Sequence, residues 1–399
     1  MSESAWPDLS GHTILQVIPD LSAGGAERTT VEMAEAITGA GGKALVISTG
    51  GRLEGALSEA GGELIEMNVG SKNPLTIRRN TRLIEAIVAD RTVSLIHARS
   101  RAPAWSAYVA AKRTETPFVT TYHGAYSGRT GLKKRYNSVM ARGDLVIANS
   151  QWTAAHVMEV HGTPETKIVT IPRGVDFAAF DPEQVDTERV ETLKISWQIE
   201  AGDDRLLLVL PGRLTSWKGQ LLAIQALGAL DSSERARIHL ILAGDDQGRK
   251  GYVTELEDAI IANKLGGTVS IVGHTSDMPA AYMAADIVLA PSTRPEAFGR
   301  VAAEASAMAK PVIVADHGGQ RETVIEGQTG TRAEPGSVPA LTACIRTLIG
   351  LPPEARAAMG TAGQAYVRAH FSKKQLQTAT LNVYARLLLN TASVENSAE

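Results

Sequence analysis

Short runs that are apolar throughout recur along the chain, separated by stretches in which apolar positions return every three or four residues. The first run is Thr13–Ile18, and others follow at Lys43–Ser48, Glu63–Met67, Val93–His97, Phe118–Thr121, Leu145–Ala148 and Lys167–Ile171. Helical spacing fills Ala26–Thr38, Leu75–Asp90, Pro103–Arg113 and Gln151–His161. Continuous rather than alternating apolar runs predict strands buried on both faces, as in a parallel sheet covered by helices. A polar segment, Val175–Pro182, interrupts this pattern. After a helix-like stretch over 187–199 the alternation restarts. Strands are predicted at Arg205–Pro211, Arg237–Ala243, Thr268–Val272, Asp286–Ala290 and Pro311–Ala315. Helices fall near Lys218–Ala229, Tyr252–Lys264, Arg300–Ala309, Val338–Leu348 and Glu354–His370. The reading is an α/β chain of two Rossmann-like, doubly wound parallel-sheet domains, 1–185 and 186–372. A last helix, 373–390, is left over once the second sheet is complete.

In open parallel sheets, ligands sit beyond the carboxyl ends of the strands. That rule selects Gly24-Gly25, His123, Gly212-Arg213, Gly273-His274 and the run from Pro291 to Ala315. Two such units face to face would bring all five to one central cleft.

The run from Pro291 is the most informative. Pro295 stops the strand ladder, and Phe298-Gly299 turns the backbone into an alanine-rich helix that begins near Arg300. Glu296 lies just before that helix and Glu304 one turn inside it. The free N–H groups between them suit an anion such as a phosphate. Glutamates near a helix start also complement the dipole with no ligand present. Gly212-Arg213-Leu214-Thr215-Ser216-Trp217-Lys218-Gly219 sets two cations around another helix start, where the dipole disfavours them. A guanidinium fork plus an ammonium point charge fits a diphosphate, although two surface cations on a loop read the same way.

Gly24-Gly25-Ala26-Glu27-Arg28 permits close backbone approach to a ligand or an ordinary tight turn. It is not a dinucleotide fingerprint, and there is no Walker A loop. His123, at a strand end beside Gly124, is placed either to hydrogen-bond a sugar hydroxyl and stabilise charge or to cap the strand. Gly273-His274 would form a wall against a planar base. Asp203-Asp204 and Asp245-Asp246 sit in turn-like sequence, where aspartate serves the turn itself. No spacing resembles a zinc site, and Gly-x-Ser-x-Gly is absent.

Composition narrows the class. The 399 residues are 44% hydrophobic and 21% charged, ordinary for a soluble enzyme of two domains. The one cysteine, Cys344, lies in an apolar helical pattern as an expected core residue. The N-terminal stretch lacks a signal-peptide layout, and no apolar run approaches a membrane span. A cytoplasmic protein is expected, at most resting on the inner face of the cell membrane. Net charge is −3, yet residues 99–142 hold nine basic side chains and one acid, Glu115. Among them are Arg99, Arg101, Arg129, Lys133, Lys134 and Arg135. This is either a solvated surface or a face for anionic lipid or a phosphorylated acceptor. Aromatic residues are too sparse there for nucleic-acid stacking.

In this order, the same residues resemble the retaining GT-B glycosyltransferases of family 4, also called group 1, over essentially the whole chain. Glu296 to Glu304 matches that family's E-x7-E motif, in a Pro-Ser-x-x-Glu-x-Phe-Gly context. Gly212-Arg213 with Lys218-Gly219 matches its G-R-x4-K-G element. Arg173-Gly174-Val175-Asp176 resembles the N-G-V-D that closes the first domain, with Arg173 replacing the usual Asn. Ala315-Asp316-His317-Gly318-Gly319 with Glu322 resembles its GG-x-x-E loop. One departure stands out: Gly244-Asp245-Asp246-Gln247-Gly248 replaces a common Gly-x-Gly.

The resemblance implies transfer of a sugar from a nucleotide-diphosphate sugar, with retention and without a metal or other cofactor. Arg213 and Lys218 would grip the diphosphate, with backbone N–H groups near Phe298, Gly299 and Arg300. Glu304 would hold the ribose, Glu296 the transferred sugar, and His123 that sugar from the first domain. Gly24, Gly25, Gly273 and His274 would complete the donor contacts. The helix 373–390 would pack back on the first domain, which binds the acceptor. A saccharide or lipid-linked, anionic acceptor is expected, in bacterial lipopolysaccharide or other cell-surface polysaccharide synthesis, with residues 99–142 meeting anionic membrane. A sugar-nucleotide epimerase on the same architecture is the alternative.

Overall fold

The computed structural model describes residues 6–22, 24–124, 126 and 131–395. The chain forms two compact units, Met1–Pro172 with Lys373–Glu399, and Arg173–Ser372. In the first unit the strands are β1 (Thr13–Val17), β2 (Lys43–Ser48), β3 (Glu63–Glu66), β4 (Val93–Ala98), β5 (Phe118–Tyr122), β6 (Leu145–Ala148) and β7 (Ile168–Thr170). They pair in parallel in the order β3-β2-β1-β4-β5-β6-β7. In the second unit they are β8 (Leu206–Pro211), β9 (Ile238–Ala243), β10 (Val269–Gly273), β11 (Ile287–Ala290), β12 (Val312–Ala315) and β13 (Gly330–Ala333). These too are parallel, in the order β10-β9-β8-β11-β12-β13. Both are doubly wound α/β sheets.

The apolar runs explain the layering. Every residue of β1, β9 and β12 is buried, whereas the edge strand β3 shows none buried. Along β8, Leu207 and Val209 enter one apolar cluster while Leu208 and Leu210 enter the cluster on the opposite face. The period of two thus divides a continuous run between two helix layers. Helix starts follow local chemistry: the Asn73 side chain accepts from the Leu75 N–H at 2.9 Å ahead of Pro74, and Ser150 accepts from the Thr153 N–H at 3.0 Å.

The division falls at Pro172, earlier than the 185 read from the sequence. Residues 173–185 join the second unit because the Val175 N–H donates to the Phe371 carbonyl at 2.7 Å. Val175 and Phe180 also pack in one core with Trp197, Tyr282 and Phe371. Strand β13, Gly-Thr-Arg-Ala, carries no apolar run; it is an edge strand held by its backbone ladder to β12. The helix Lys373–Glu395 belongs to the first unit, where Leu376, Leu381, Tyr384 and Leu388 share a cluster with Ile14, Met33 and Ile37. Cys344 is half-buried on the helix Val338–Gly350, at the margin of a core rather than inside it.

Candidate functional site

In the second unit the strand order reverses between β8 and β11, the position where doubly wound sheets open a crevice. The loops leaving these two neighbours are Gly212–Gly219 and Pro291–Gly299, and they are stitched together. The Thr293 N–H donates to the Trp217 carbonyl at 2.7 Å. Gly219 has φ of 88°, and a Cβ there would lie 2.3 Å from the Pro291 carbonyl oxygen. Only glycine allows that approach, which starts the helix Gln220–Gly228 directly against the second loop.

The stitching brings Lys218 and Glu296 together. Lys218 Nζ lies 2.8 Å from Glu296 Oε1, with both side chains about 15% exposed (15% and 14%). The Ser292 hydroxyl donates to the same carboxylate oxygen, and the His317 ring Nε2 meets the Ser292 carbonyl at 2.8 Å. The Gly319 N–H donates to the Glu296 carbonyl at 2.7 Å, so the loop after β12 buttresses Glu296 from behind. Lys218 also rides over the Trp217 ring, 4.7 Å from its centroid. Arg213 differs: it is exposed and forms no ion pair among the described residues. The site therefore holds one cation clamped to a carboxylate and one available to an incoming anion.

The helix Arg300–Ala307 begins at Gly299, whose φ is 95° and whose Cβ would lie 2.4 Å from that of Gln320. The Phe298 side chain turns into the core, where it meets Phe371 edge-to-face at 5.3 Å; only its backbone faces the helix start. Inside the helix, Glu304 Oε1 accepts from Arg300 at 2.8 and 3.0 Å, and Oε2 accepts from the Tyr282 hydroxyl at 3.1 Å. Burial, and then the Glu304 charge, push the Tyr282 phenol well above its ordinary range, so it stays a donor. Gly273 ends β10 with φ of 73°, and His274 is exposed beside it, at the carboxyl edge of the same sheet. The Gly244–Gly248 segment is a turn, with the Asp245 and Asp246 carboxylates accepting from the Gln247 and Gly248 N–H groups at 2.8 Å. The loop after β8 is tied to it, because the Leu214 N–H donates to the Asp245 carbonyl at 3.0 Å.

In the first unit, Gly24 caps the helix Gly25–Gly39 beyond β1, at that sheet's own reversal of strand order. His123 follows β5, and Asn149, just past β6, reaches its Nδ1 at 3.2 Å. With the Asn149 amide donating, the His123 proton sits on Nε2.

The basic stretch 99–142 is not one solvated face. Arg99 is only 2% exposed; its Nε donates to Gln16 Oε1 at 2.5 Å, beneath the sheet edge. The expectation that it faces a membrane or acceptor is corrected: β4 carries it inward, next to His97, whose ring nitrogens bind the Tyr384 and Thr121 hydroxyls at 2.6 and 2.7 Å. Lys112 and Arg113 pair with Asp144 and Glu85. Arg101 donates to Asn137 at 3.0 Å and lies over the Tyr126 ring. Lys133, Lys134 and Arg135 are exposed on the helix Gly131–Asn137, and Arg129 lies outside the described residues.

Two supports escaped the sequence reading, Tyr282 and Asn149. Ser292 was legible as part of its Pro-Ser-x-x-Glu context, but Tyr282 sits on a short helix, Met278–Ala284, with no distinctive pattern. Asn149 had no signal at all. Among the described residues no group of three or more His, Cys, Asp or Glu side chains is placed to hold a metal ion, and no helix is long and apolar enough to cross a membrane.

Comparison with known proteins decides the family. The family described as Glycosyl transferases group 1 matches residues 191–366, and Glycosyltransferase Family 4 matches residues 23–179. A glycosyltransferase structure from Rickettsia africae ESF-5 is 35% identical, covers 94% of this chain and 98% of its own, and superposes with a TM-score of 0.84. The chain belongs to the group 1, family 4 glycosyltransferases. Anabaena HepE, solved in complex with UDP-glucose, is 25% identical with a TM-score of 0.77, over 96% of this chain and 99% of its own. A D-inositol 3-phosphate glycosyltransferase of Xylanimonas cellulosilytica is 27% identical over 318 residues, 76% of this chain and 74% of that one. Such neighbours share the two-sheet GT-B fold, and the chain is a glycosyltransferase.

Proposed function

We propose that this glycosyltransferase moves a sugar from a nucleotide-diphosphate sugar to a saccharide or lipid-linked acceptor with retention of anomeric configuration. The observation that carries the donor assignment is the Lys218–Glu296 pair on the two stitched switch-point loops, with Arg213 exposed beside it. The HepE complex, which holds UDP-glucose, supports a donor of this class.

Arg213 and Lys218 bind the diphosphate and stabilise the charge that grows on it as it departs, together with backbone N–H groups at the start of the helix Arg300–Ala307. Neutralising that charge is assigned to these two side chains, without a metal. Glu304, already oriented by Tyr282 and Arg300, holds the ribose hydroxyls. Glu296 turns from Lys218 to the transferred sugar, and His123 acts on a hydroxyl of that sugar. Gly24, Gly25, Gly273 and His274 contribute donor contacts.

The acceptor oxygen forms its bond to the anomeric carbon on the face from which the nucleoside diphosphate leaves. The bond from that carbon to the phosphate oxygen breaks with its electron pair, and the acceptor proton passes to the departing phosphate oxygen. The relative named for D-inositol 3-phosphate supports an acceptor that carries negative charge. A role in bacterial lipopolysaccharide or other cell-surface polysaccharide synthesis accommodates such an acceptor. Lys133, Lys134 and Arg135 are then the exposed cations that face an anionic membrane.

The test incubates the protein with a panel of nucleotide-diphosphate sugars, with and without cell-envelope saccharide acceptors, and follows nucleotide release and the product anomer by proton NMR. Acceptor-dependent release with the donor's anomeric configuration is expected. Epimerised sugar nucleotide formed without acceptor would replace this reading with that of an epimerase, and an inverted product would remove the same-face mechanism.

A further inference from the structure

The segment 244–248, where the chain departs from the family's Gly-x-Gly, takes no part in the donor assignment, and it borders a cavity of its own. It leaves β9 and runs into Arg249, the residue before the helix Lys250–Ala262. Arg249 Nη1 donates to the Asp246 carbonyl at 3.0 Å, and the guanidinium meets Gln247 Oε1 at 3.2 Å, so the turn holds this side chain in place. Arg249, Tyr252 and Glu255 line a cavity of about 450 Å³ together with Thr215, Ser216 and Trp217 of the loop after β8. Small-molecule sites span roughly 300–1,000 Å³. In the sheet, β8 has β9 on one side and β11 on the other. The cavity lies on the β9 side of the β8 loop, and the Lys218–Glu296 pair lies on its β11 side.

The aromatic wall is tied to the loop. The Tyr252 hydroxyl donates to Gln220 Oε1 at 3.3 Å, and Gln220 Nε2 donates to the Arg213 carbonyl at 3.1 Å. One polar atom of the lining is left over. Thr215 is only 7% exposed, and its hydroxyl has no hydrogen-bond partner among the described residues. A buried hydroxyl without a partner is costly, and a ligand hydroxyl would supply what the chain does not. The charges at the rim cancel. Arg249 and Glu255 are both exposed, of opposite sign, and neither forms an ion pair among the described residues.

We propose that this cavity is a carbohydrate subsite, which takes a neutral sugar residue other than the one transferred. The donor and acceptor assignments above place no ligand on this side of the β8 loop. The lining selects the class. An anion would meet Glu255, and an organic cation would meet Arg249. An apolar ligand would leave the Thr215 hydroxyl unpaired. A sugar ring satisfies all of these groups at once. One face of the ring carries C–H bonds of slight positive charge, which suit the negative faces of Trp217 and Tyr252. Its hydroxyls both donate and accept, as Thr215, Ser216, Arg249 and Glu255 together require.

The test is saturation-transfer NMR on the full chain with methyl α-glucoside, methyl α-galactoside, methyl α-mannoside and N-acetylglucosamine, where transfer to the sugar's C–H protons marks contact with the protein. At least one of the four is expected to bind. Glu296→Ala, which disables the place assigned to the transferred sugar, should leave that affinity unchanged. Tyr252→Ala, which removes one stacking face, should weaken binding by about tenfold or more. Thr215→Val keeps the shape of the side chain without its hydroxyl, and should weaken binding by about threefold while the melting temperature stays at the native value. It keeps the proposal testable should Tyr252→Ala loosen the helix. Binding by none of the four sugars, loss of binding in Glu296→Ala, or native affinity in both Tyr252→Ala and Thr215→Val would overturn the proposal. So would displacement of the sugar by UDP in Glu296→Ala, because that places it in the donor crevice instead.

Discussion

Lys218 and Glu296 satisfy one another across two loops, so each is held ready at the cost of charge that a ligand must later share. Removing either partner leaves a mostly buried charge without its counterpart. Lys218→Ala and Arg213→Ala are each expected to lower turnover by about 10²–10³-fold, the scale seen when a donor to transition-state charge is lost. Steady-state kinetics near the wild-type rate in both variants would refute the diphosphate assignment. The two glutamates separate by readout. Glu304→Ala should weaken nucleotide binding in calorimetry, whereas Glu296→Ala should leave that affinity largely intact and depress turnover; the reverse pattern contradicts the split.

His97 supplies a pH prediction at the same scale. It is fully buried, and desolvation, followed by the nearby Arg99 charge, holds its pKa well below the ordinary 6.5. In the unfolded chain the ring protonates near 6.5, while in the fold it stays neutral. Its contribution to stability is therefore complete above about pH 6.5 and is lost as pH falls from there toward the depressed folded value. Melting temperatures from pH 8 to pH 5 should fall more steeply for the native chain than for His97→Gln, and parallel curves would contradict this.

Elements built from strong local signals were legible, and those built from tertiary contact were not. The runs Leu145–Ala148 and Lys43–Ser48 coincide with β6 and β2, and Gln151–His161 coincides with its helix, because continuous apolar sequence and a Ser150 cap leave little choice. Strand β13 was missed because its four residues hold no apolar run and its stability comes from pairing with β12. In the site, Glu296, Glu304, Arg213 and Lys218 were legible as candidates from their places around two helix starts and from the resemblance of their motifs, and the structure brings Lys218 and Glu296 together. Tyr282 and Asn149 were not, since each reaches its partner from an element distant in sequence. Arg99 misled for the same reason: charge is visible in a sequence, but the inward direction of β4 is not. The stitching of the two switch-point loops also has an element-scale consequence. Gly219→Ala puts a methyl group against the Pro291 carbonyl at a positive φ, so it should destabilise the second unit by more than about 1 kcal/mol and lower donor affinity with it. Unaltered urea unfolding would show that the loops tolerate separation.

At the scale of the whole molecule, the chain joins two sheets of the same winding, and its last helix returns to the first. Tyr384 on that helix has its phenol pushed up to about 12, chiefly by burial, so it remains protonated while it bonds His97 beneath β4 and β5. The central claim concerns the second unit, where donor binding is assigned to Arg213, Lys218 and Glu304. A thermal-shift series with nucleoside diphosphates and their sugars tests it most directly, because a ligand that binds only the folded state raises its melting temperature. At about one hundred times its dissociation constant, a true donor contributes roughly 2.7 kcal/mol, which corresponds to a rise of several degrees. The account predicts such a rise for at least one nucleotide sugar with the native chain, and its loss in Arg213→Ala/Lys218→Ala. No shift with any nucleotide sugar, or an equal shift in the double variant, would contradict it.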